Sequence, residues 1–345
     1  VSESVIPNRA RPTIYDVARL AGVSPSTVSR MLNGKGQFAP ATRTAVEQAV
    51  EQLRYRPNTI ARSLRTKSTQ TIAFLLPYVP DPFFVSLIGG IQQHALNHDY
   101  AILLCVTEGD PEREERYLHL LQAKQVDGAL IDGPVLPATR VARFVEDGFP
   151  IVCVDRDVDL PSVPLVQVDN RLGARRATEH LLSLGHRRIA HVSGSELQRL
   201  RHSRERLAGY REALAAAGVR EDPRLVATGD YTEEGGRGAT RALLDAGAEF
   251  SAVFAANDLS AIGAMRALAE RGRRVPTDVS VVGFDDVHIS AFINPPLTTV
   301  HQPAAEIAQR ATELLIALIH GREVAERRHV LEPRLVVRAS TSAPR

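Results

Sequence analysis

Four residues close together, Ser26, Thr27, Ser29 and Arg30, carry the groups best suited to reading another molecule's hydrogen-bonding edge. They lie in the run TIYDVARLAGVSPSTVSRMLNG, Thr13 to Gly34. Hydroxyls both donate and accept, and a guanidinium offers a planar fork of donors that fits a guanine edge. A short helix presenting such groups is what a DNA major groove admits. A second set lies far along the chain. Asp285 and Asp286 directly follow the apolar run 280–284, where a carboxylate can face a ligand, and Arg206 opens the helical stretch RLAGYREAL. Asn257 ends the run 252–255 and Tyr231 follows the run 225–228. A carboxylate, a guanidinium, an amide and an aromatic ring converging on a cleft suit sugar hydroxyls or a heterocycle. Spacing alone leaves these as candidates, and Asn257 can equally serve as the cap of the helix that follows.

The elements that must hold the first set are legible. Thr13 can cap a helix whose third residue, Asp16, returns a bond to the Thr13 amide. Ile14, Val17, Ala18 and Ala21 then form one apolar stripe. Gly22 suits the left-handed turn that ends a helix. Ser24 caps a second helix with Pro25 at its first position. Val28, Met31 and Leu32 are expected to face inward, and Asn33-Gly34 closes the helix. A third helix over 42–53 repeats the stripe with Val46, Ala49, Val50 and Leu53. An ordinary three-helix interaction module has the same periodicity, and charge separates the two readings. Residues 1–70 hold eleven Lys/Arg against four Asp/Glu, so the remainder must be about −5 to give the net +2. A basic head on a slightly acidic body is the footprint of phosphate binding by one end of the molecule.

Beyond the third helix, YRPNTIARSLRTKST (Tyr55 to Thr69) could form about two helical turns after Pro57-Asn58. So short a helix does not persist alone in water. Arg62, Arg65 and Lys67 suggest DNA as what would hold it, while Leu64 has no evident core to enter. A disordered basic linker is the alternative.

The rest reads as α/β. Apolar, β-rich runs occur at 71–76, 101–106, 128–131, 151–154, 165–168, 188–192, 225–228, 252–255, 280–284 and 298–300. Helical stretches such as 84–97, 112–124, 172–185 and 259–271 lie between many of them. That alternation implies parallel sheets covered on both faces, and so many strands exceed one comfortable core, giving two lobes. Ligands of such folds bind at the carboxyl ends of the strands. No run is long and apolar enough for a membrane span, and no apolar leader opens the chain, so a cytoplasmic location is expected. Cys105 and Cys153 fall in predicted buried strands and read as packing thiols. No CxxC, HExxH, GxSxG or Walker pattern appears, so no metal, cofactor or catalytic role is assigned. His180, His186 and His191 span a helix, a turn and a strand, and a solvent or capping role is expected for them. Only three lysines accompany many arginines, a bias of composition that weakens arguments from arginine abundance.

With these residues in place, the chain resembles the lac repressor/galactose repressor (LacI/GalR) family of bacterial transcription regulators. The resemblance rests on TIYDVARLAGVSPSTVSRMLNG with RYRPNTIARSLRT, then DPFF at 81–84, VDR at 154–156, HLLSLGHRRIAHVSG at 180–194, RLAGY at 206–210, AAND at 255–258, VPTDVSVVGFDD at 275–286 and PPLTTVHQP at 295–303. It implies a helix-turn-helix headpiece over 1–57, a hinge helix over 58–69, and a two-lobed, periplasmic-binding-protein-like body over 70–345. The lobes would take 70–169 with 301–330, and 170–300 with 331–340. The DNA-contacting candidates are then Thr13, Ser24, Pro25, Ser26, Thr27, Ser29, Arg30, Asn33, Tyr55, Asn58, Ala61, Arg62 and Leu64. Leu64 is the counterpart of the hinge leucine that wedges into the minor groove, which fits the physics of apolar wedges between base steps. The effector candidates are Arg206, Asn257 and Asp285 as contacts, with Phe83, Phe84, Tyr231 and Asp155 near them. The arginine-rich stretch 195–206 departs from the family pattern and leaves an anionic effector open.

The expectation is a homodimeric, ligand-controlled repressor that reads a near-palindromic double-stranded DNA operator. It would be answerable to a small effector, a sugar or sugar derivative, with no membrane partner. Two other readings stand beside it. One is a sugar- or nucleoside-processing enzyme or binding protein with a non-DNA helical head. The other is an architectural DNA binder with no effector.

Overall fold

The computed structural model describes residues 12–32, 36–56, 68–77, 79, 81–123, 126–132, 136–155, 160–194 and 201–345. They belong to two units, Val1–Thr69 and Gln70–Arg345.

In the first unit, helices α1 (Ile14–Ala21), α2 (Pro25–Leu32) and α3 (Pro40–Leu53) form where the stripes predict. The Asp16 carboxylate accepts the Thr13 amide at 2.9 Å and its hydroxyl at 2.7 Å, which fixes the start of α1. Gly22, at φ +66°, turns the chain, and the Val23 amide closes α1 by donating to the Ala18 carbonyl at 3.0 Å. Only glycine adopts that backbone without cost. The Ser24 hydroxyl accepts the Thr27 amide at 3.1 Å and starts α2. Val17, Ala18, Val28, Val46 and Ala49 make a small dry core, rimmed by Ile14, Met31, Val50, Leu53 and Tyr55. Leu32, expected inside, is exposed instead, because the cluster closes at Met31.

In the second unit, most parallel strands are followed by a helix, and the helices cover both faces of two sheets. The first sheet holds β1 (Thr71–Leu76), β2 (Ala101–Val106), β3 (Gly128–Asp132), β4 (Ile151–Val154), β5 (Leu165–Val168) and β11 (Arg328–Leu331). Its order is β2-β1-β3-β4-β5-β11, parallel throughout. Helices α4 (Pro82–Leu96) and α11 (Ala304–Ile319) pack on one face, and α5 (Pro111–Gln122) and α6 (Ala138–Glu146) on the other. The second sheet holds β6 (Ile189–Ser193), β7 (Val226–Thr228), β8 (Ala252–Ala255), β9 (Ser280–Asp285), β10 (Thr298–His301) and β12 (Arg334–Val336), in the order β7-β6-β8-β9-β10-β12. Helices α7 (Asn170–Ser183) and α8 (Arg201–Ala216) cover one face, and α9 (Glu233–Asp245) and α10 (Asp258–Glu270) the other. The central strands are largely apolar because both faces are buried, with polar residues in β5, β6 and β10.

Two strands escaped the sequence reading. β11 and β12 are short, charged edge strands, RHVL and RLV, without the apolar signature of a central strand. β12 runs antiparallel to β10, the exception to an otherwise parallel sheet. The chain passes between the lobes at Asp169, between His301 and Ala304, and between Leu331 and Arg334. Beyond Val336 the tail runs along the second lobe, with the Ser340 hydroxyl donating to the Val281 carbonyl at 2.6 Å and accepting the Thr298 amide at 2.8 Å.

The histidines also differ from expectation. His186 is buried between the hydroxyls of Ser251 (2.8 Å) and Ser280 (3.0 Å). His191 is stacked between Tyr210 and Phe254, with Nδ1 on the Phe254 carbonyl at 3.0 Å. Both join structure across the sheet, where a solvent or capping role was expected, and His180 meets Thr341 of the tail at 3.0 Å. Cys105 and Cys153 are buried and unbridged, and burial pushes the Cys105 thiol up to about 11, which keeps it unreactive.

Candidate nucleic-acid interface and ligand cleft

Helix α2 turns Val28 into the core, which leaves Ser26 and Arg30 exposed and Thr27 and Ser29 half-buried. The Ser24 hydroxyl meets those of Ser26 at 2.7 Å and Thr27 at 2.8 Å, so the start of the helix is a mutually held hydroxyl cluster. Arg30 extends over the Phe38 ring, 5.8 Å from its centroid, close against Gly36. The fork is thus held at the rim of the helix by stacking, with no carboxylate drawn to it in any ion pair among the described residues. Thr13 lies exposed at the cap of α1, and Tyr55 packs against the three-helix core. Asn33, Asn58, Ala61, Arg62 and Leu64, with most of the expected hinge helix over 58–69, lie outside the described residues.

In the second unit, the carboxyl ends of the strands bring Arg206 and Asp285 together. Arg206 comes from the second turn of α8, where the sequence reading had put it at the helix start. The helix runs from Arg201 to Ala216, so Arg206 lies past the first turn, where the terminal dipole acts. The residue is 3% exposed, and it donates inside the protein through Nε and Nη1. Nε donates to Asn170 Oδ1 at 2.8 Å, Nη1 donates to the Ala256 carbonyl, and Nη1 lies 3.6 Å from Asp285 Oδ1. The guanidinium carbon sits 3.7 Å from the centroid of the Phe284 ring. Asp285, the last residue of β9, is held by Gln302 Nε2 at 2.6 Å. Burial raises its carboxyl well above the usual range, with Arg206 opposing and Asp81 and Asp258 adding to the rise.

Around this pair stand the other candidates. Asn257 both caps and reaches: its Oδ1 accepts the Ser260 amide at 2.9 Å, and its Nδ2 donates to the Tyr231 carbonyl at 2.9 Å. The capping role is thus filled, and the amide nitrogen ties the Tyr231 loop to the start of α10. Tyr231 presents its ring 6.0 Å from the Arg206 guanidinium and edge-on to His202. Asp155, at the end of β4 in the other lobe, accepts Asn170 Nδ2 at 3.1 Å and lies 3.7 Å from His202 Nδ1. Burial raises Asp155 to about 7 and lowers His202 to about 3, so the histidine is neutral near pH 7. Phe83, with Asp285 and Gln302, lines a cavity of 320 Å³. Phe84 is not on its wall; it stands edge-on to Phe83 and packs toward the core of its lobe.

Strain marks the same place. Asp155 (φ 45°), Tyr231 (φ 61°) and Asp285 (φ 109°), on three separate loops or strand ends, all adopt positive φ without being glycine. Such residues cost about 1–3 kcal/mol each and cluster at ligand sites. Asp81, Asn170, His202 and Gln302 were missed as site residues. Asp81 caps α4 through the Phe83 amide at 2.9 Å and faces Arg206 and Asn257, and burial raises its carboxyl. The signals were present in DPFF, in the Asp169-Asn170 pair after a strand, and in His301-Gln302-Pro303. Nothing local says that these points meet. No group of His, Cys, Asp and Glu among the described residues is arranged to hold a metal ion.

Comparison with known proteins bears on both sites. Residues 13–58 match the bacterial regulatory proteins, lacI family, and residues 178–341 match a periplasmic binding protein-like domain. The HTH-type transcriptional regulator CelR of Thermobifida fusca is 40% identical over 344 residues, 96% of this chain and 99% of that protein. The HTH-type transcriptional repressor CytR of Escherichia coli (strain K12) is 35% identical over 331 residues, 96% of each. Among solved structures, the lac repressor dimer bound to operator and the anti-inducer ONPF matches with a TM-score of 0.87 at 30% identity, over 96% of this chain and 99% of that one. A CelR–cellobiose complex matches with a TM-score of 0.72 at 38% identity, over 96% of this chain and all of that one.

Proposed function

Because the chain belongs to the lacI family of bacterial regulatory proteins, DNA-binding transcriptional regulators rather than enzymes, we propose a dimeric repressor whose grip on its operator is set by a small, uncharged sugar bound between the lobes of residues 70–345. The observation that carries the ligand reading is the buried Arg206–Asp285 contact at the strand ends. A hydroxyl placed between them donates to the carboxylate and accepts from the guanidinium, and a ligand that leaves either group unpaired is rejected.

Charge favours a neutral ligand over a phosphorylated one. Asp81, Asp155 and Asp285 stand around the Arg206 guanidinium, with Arg201 also acting on Asp155. From the arginine-rich stretch, Arg201 is paired with Glu205 at 2.6 Å and Arg204 is exposed. Carboxylates thus outnumber the cations at the cleft among the described residues, and Arg201, which also acts on Asp155, is already engaged by Glu205. The CelR relative in complex with cellobiose makes a β-linked disaccharide the first ligand to try.

Each subunit would read one half of a near-palindromic operator in the cytoplasm, with Arg30 and Ser26 at base edges and the two-fold axis shared by protein and site. Dimerisation is supported by the exposed apolar residues of one lobe, Val85 and Leu96 on α4 beside Leu103 and Leu104 on the edge strand β2. An uncovered edge of that kind invites a partner. A ligand that binds one lobe arrangement better than the other shifts the population, and DNA and ligand then change each other's affinity by the same factor.

The test is an operator selected from a random duplex pool, followed by titration with cellobiose, ribose and glucose 6-phosphate. A change in operator affinity with a neutral sugar and none with the phosphate supports the reading. A response to the phosphate alone overturns the ligand class.

A further inference from the structure

We infer that Asn170 is a positioning residue that links ligand contact at Arg206 to the lobe crossovers, as the second member of a five-group polar chain joining two of the three crossovers. This rests on the effector reading above. Asn170 is the first residue after the chain leaves the first lobe, and its side chain is buried. It is not needed as a cap, because Asp169 already accepts the Leu172 amide at 2.8 Å. Its orientation is dictated by its neighbours. Arg206 Nε can only donate, so Oδ1 must face it, at 2.8 Å. Nδ2 is then turned to Asp155 Oδ1 at 3.1 Å and to the Val168 carbonyl at 3.3 Å. Rotating the amide would set N–H against guanidinium and carbonyl against carboxylate.

The chain continues from Arg206 to Asp285 at 3.6 Å and from Asp285 to Gln302 at 2.6 Å. Gln302 lies in the second crossover, between β10 and α11, and its amide faces the Asp285 carbonyl at 3.4 Å. A carboxylate of one lobe, an amide at the first crossover, a guanidinium and a carboxylate of the other lobe, and an amide at the second crossover thus form one sequence. Buried networks of this kind are costly when partly satisfied. A ligand that moves Arg206 must therefore re-partner groups at both crossovers, and Asn170 cannot release one neighbour without leaving it unpaired.

The test uses the full chain, its selected operator and cellobiose as the probe, with amide exchange measured on the unliganded protein. Asn170→Asp sets two carboxyls face to face. It should reduce the ligand-induced change in operator affinity at least tenfold and speed exchange at the amides of Gln302 and Ala304. Asp155→Asn combined with Asn170→Asp exchanges donor and acceptor while keeping the charge count, and should restore both. Gln302→Leu should reciprocally speed exchange at 169–173, which keeps the inference open to test should Asn170→Asp not fold. Exchange confined to the mutated crossover in both cases, or a double variant no better than Asn170→Asp, overturns it. If cellobiose leaves the wild-type operator affinity unchanged, the effector reading has failed on that ligand, and the exchange at the opposite crossover alone decides this inference.

Discussion

A Cβ atom added at Gly194 would lie 2.1 Å from Cε2 of Tyr231, so the glycine that follows β6 is the seat on which the tyrosine ring rests. The ring occupies the space a side chain would take, next to Arg206 and His202.

Gly194→Ala must therefore displace the Tyr231 ring. The expected result is a stability loss of about 1–3 kcal/mol, the usual cost of overpacking, and loss of most of the ligand response. Operator affinity without ligand should stay within twofold, since residues 13–56 form their own core. Fluorescence anisotropy with labelled operator, with and without ligand, reads both. An unchanged ligand response would remove Tyr231 from the cleft wall.

Arg206→Ala leaves Asp285 buried without its cation, facing Asp81 and Asp258. Breaking a buried pair costs about 3–5 kcal/mol. Asp285→Asn in the same chain should recover a large part of that loss, because the uncompensated charge is gone. Urea denaturation of the two single variants and the double variant gives the coupling directly. Additive losses would mean that the two groups do not interact.

Opposed titrations should be visible in stability against pH. Burial raises Asp258 to about 7, so the folded state holds a proton that the unfolded chain has released, and stability falls as pH rises from about 4 to 7. Burial lowers His191 to about 4, so stability falls in the other direction, as pH drops below the ordinary histidine value toward 4. Relative to wild type, Asp258→Asn should make stability rise with pH by up to about 1.4 kcal/mol per unit across that window. His191→Phe should make it fall. Parallel curves for wild type and variants would show that neither group is held in its uncharged form.

Arg30→Ala should relax base preference at one symmetric operator position, at a cost of roughly 1–3 kcal/mol per bidentate contact. Weak, salt-dependent binding should survive, because phosphate contacts are separate from base reading. Selection from a random duplex pool, repeated with the variant, checks this. An unchanged consensus would shift the reading role to Ser26 and its neighbours.

The sequence by itself determined what repeats at short range. Thr13 and Asp16, Gly22, and Ser24 with Pro25 mark where helices start and stop, because capping involves residues within a turn of one another. The apolar runs marked the central strands, because a strand buried on both faces is largely apolar. Arg206 and Asp285 could be nominated, since strand ends and their loops are where such folds bind ligands and the family resemblance pointed to the same positions. Their 3.6 Å approach could not. It depends on the packing of α8 beside β9, some eighty residues apart, and no local pattern encodes that distance. Asn170 and Gln302 were invisible for the same reason, since an amide after a strand is an ordinary cap until a guanidinium or a carboxylate is brought to it. Edge strands β11 and β12 lacked the apolar signal because solvent leaves their side chains unconstrained. Burial decided the charge states as well: a carboxyl near 7 at Asp155 and a neutral His202 follow from the water the fold excludes, a property of the closed structure that no residue carries alone.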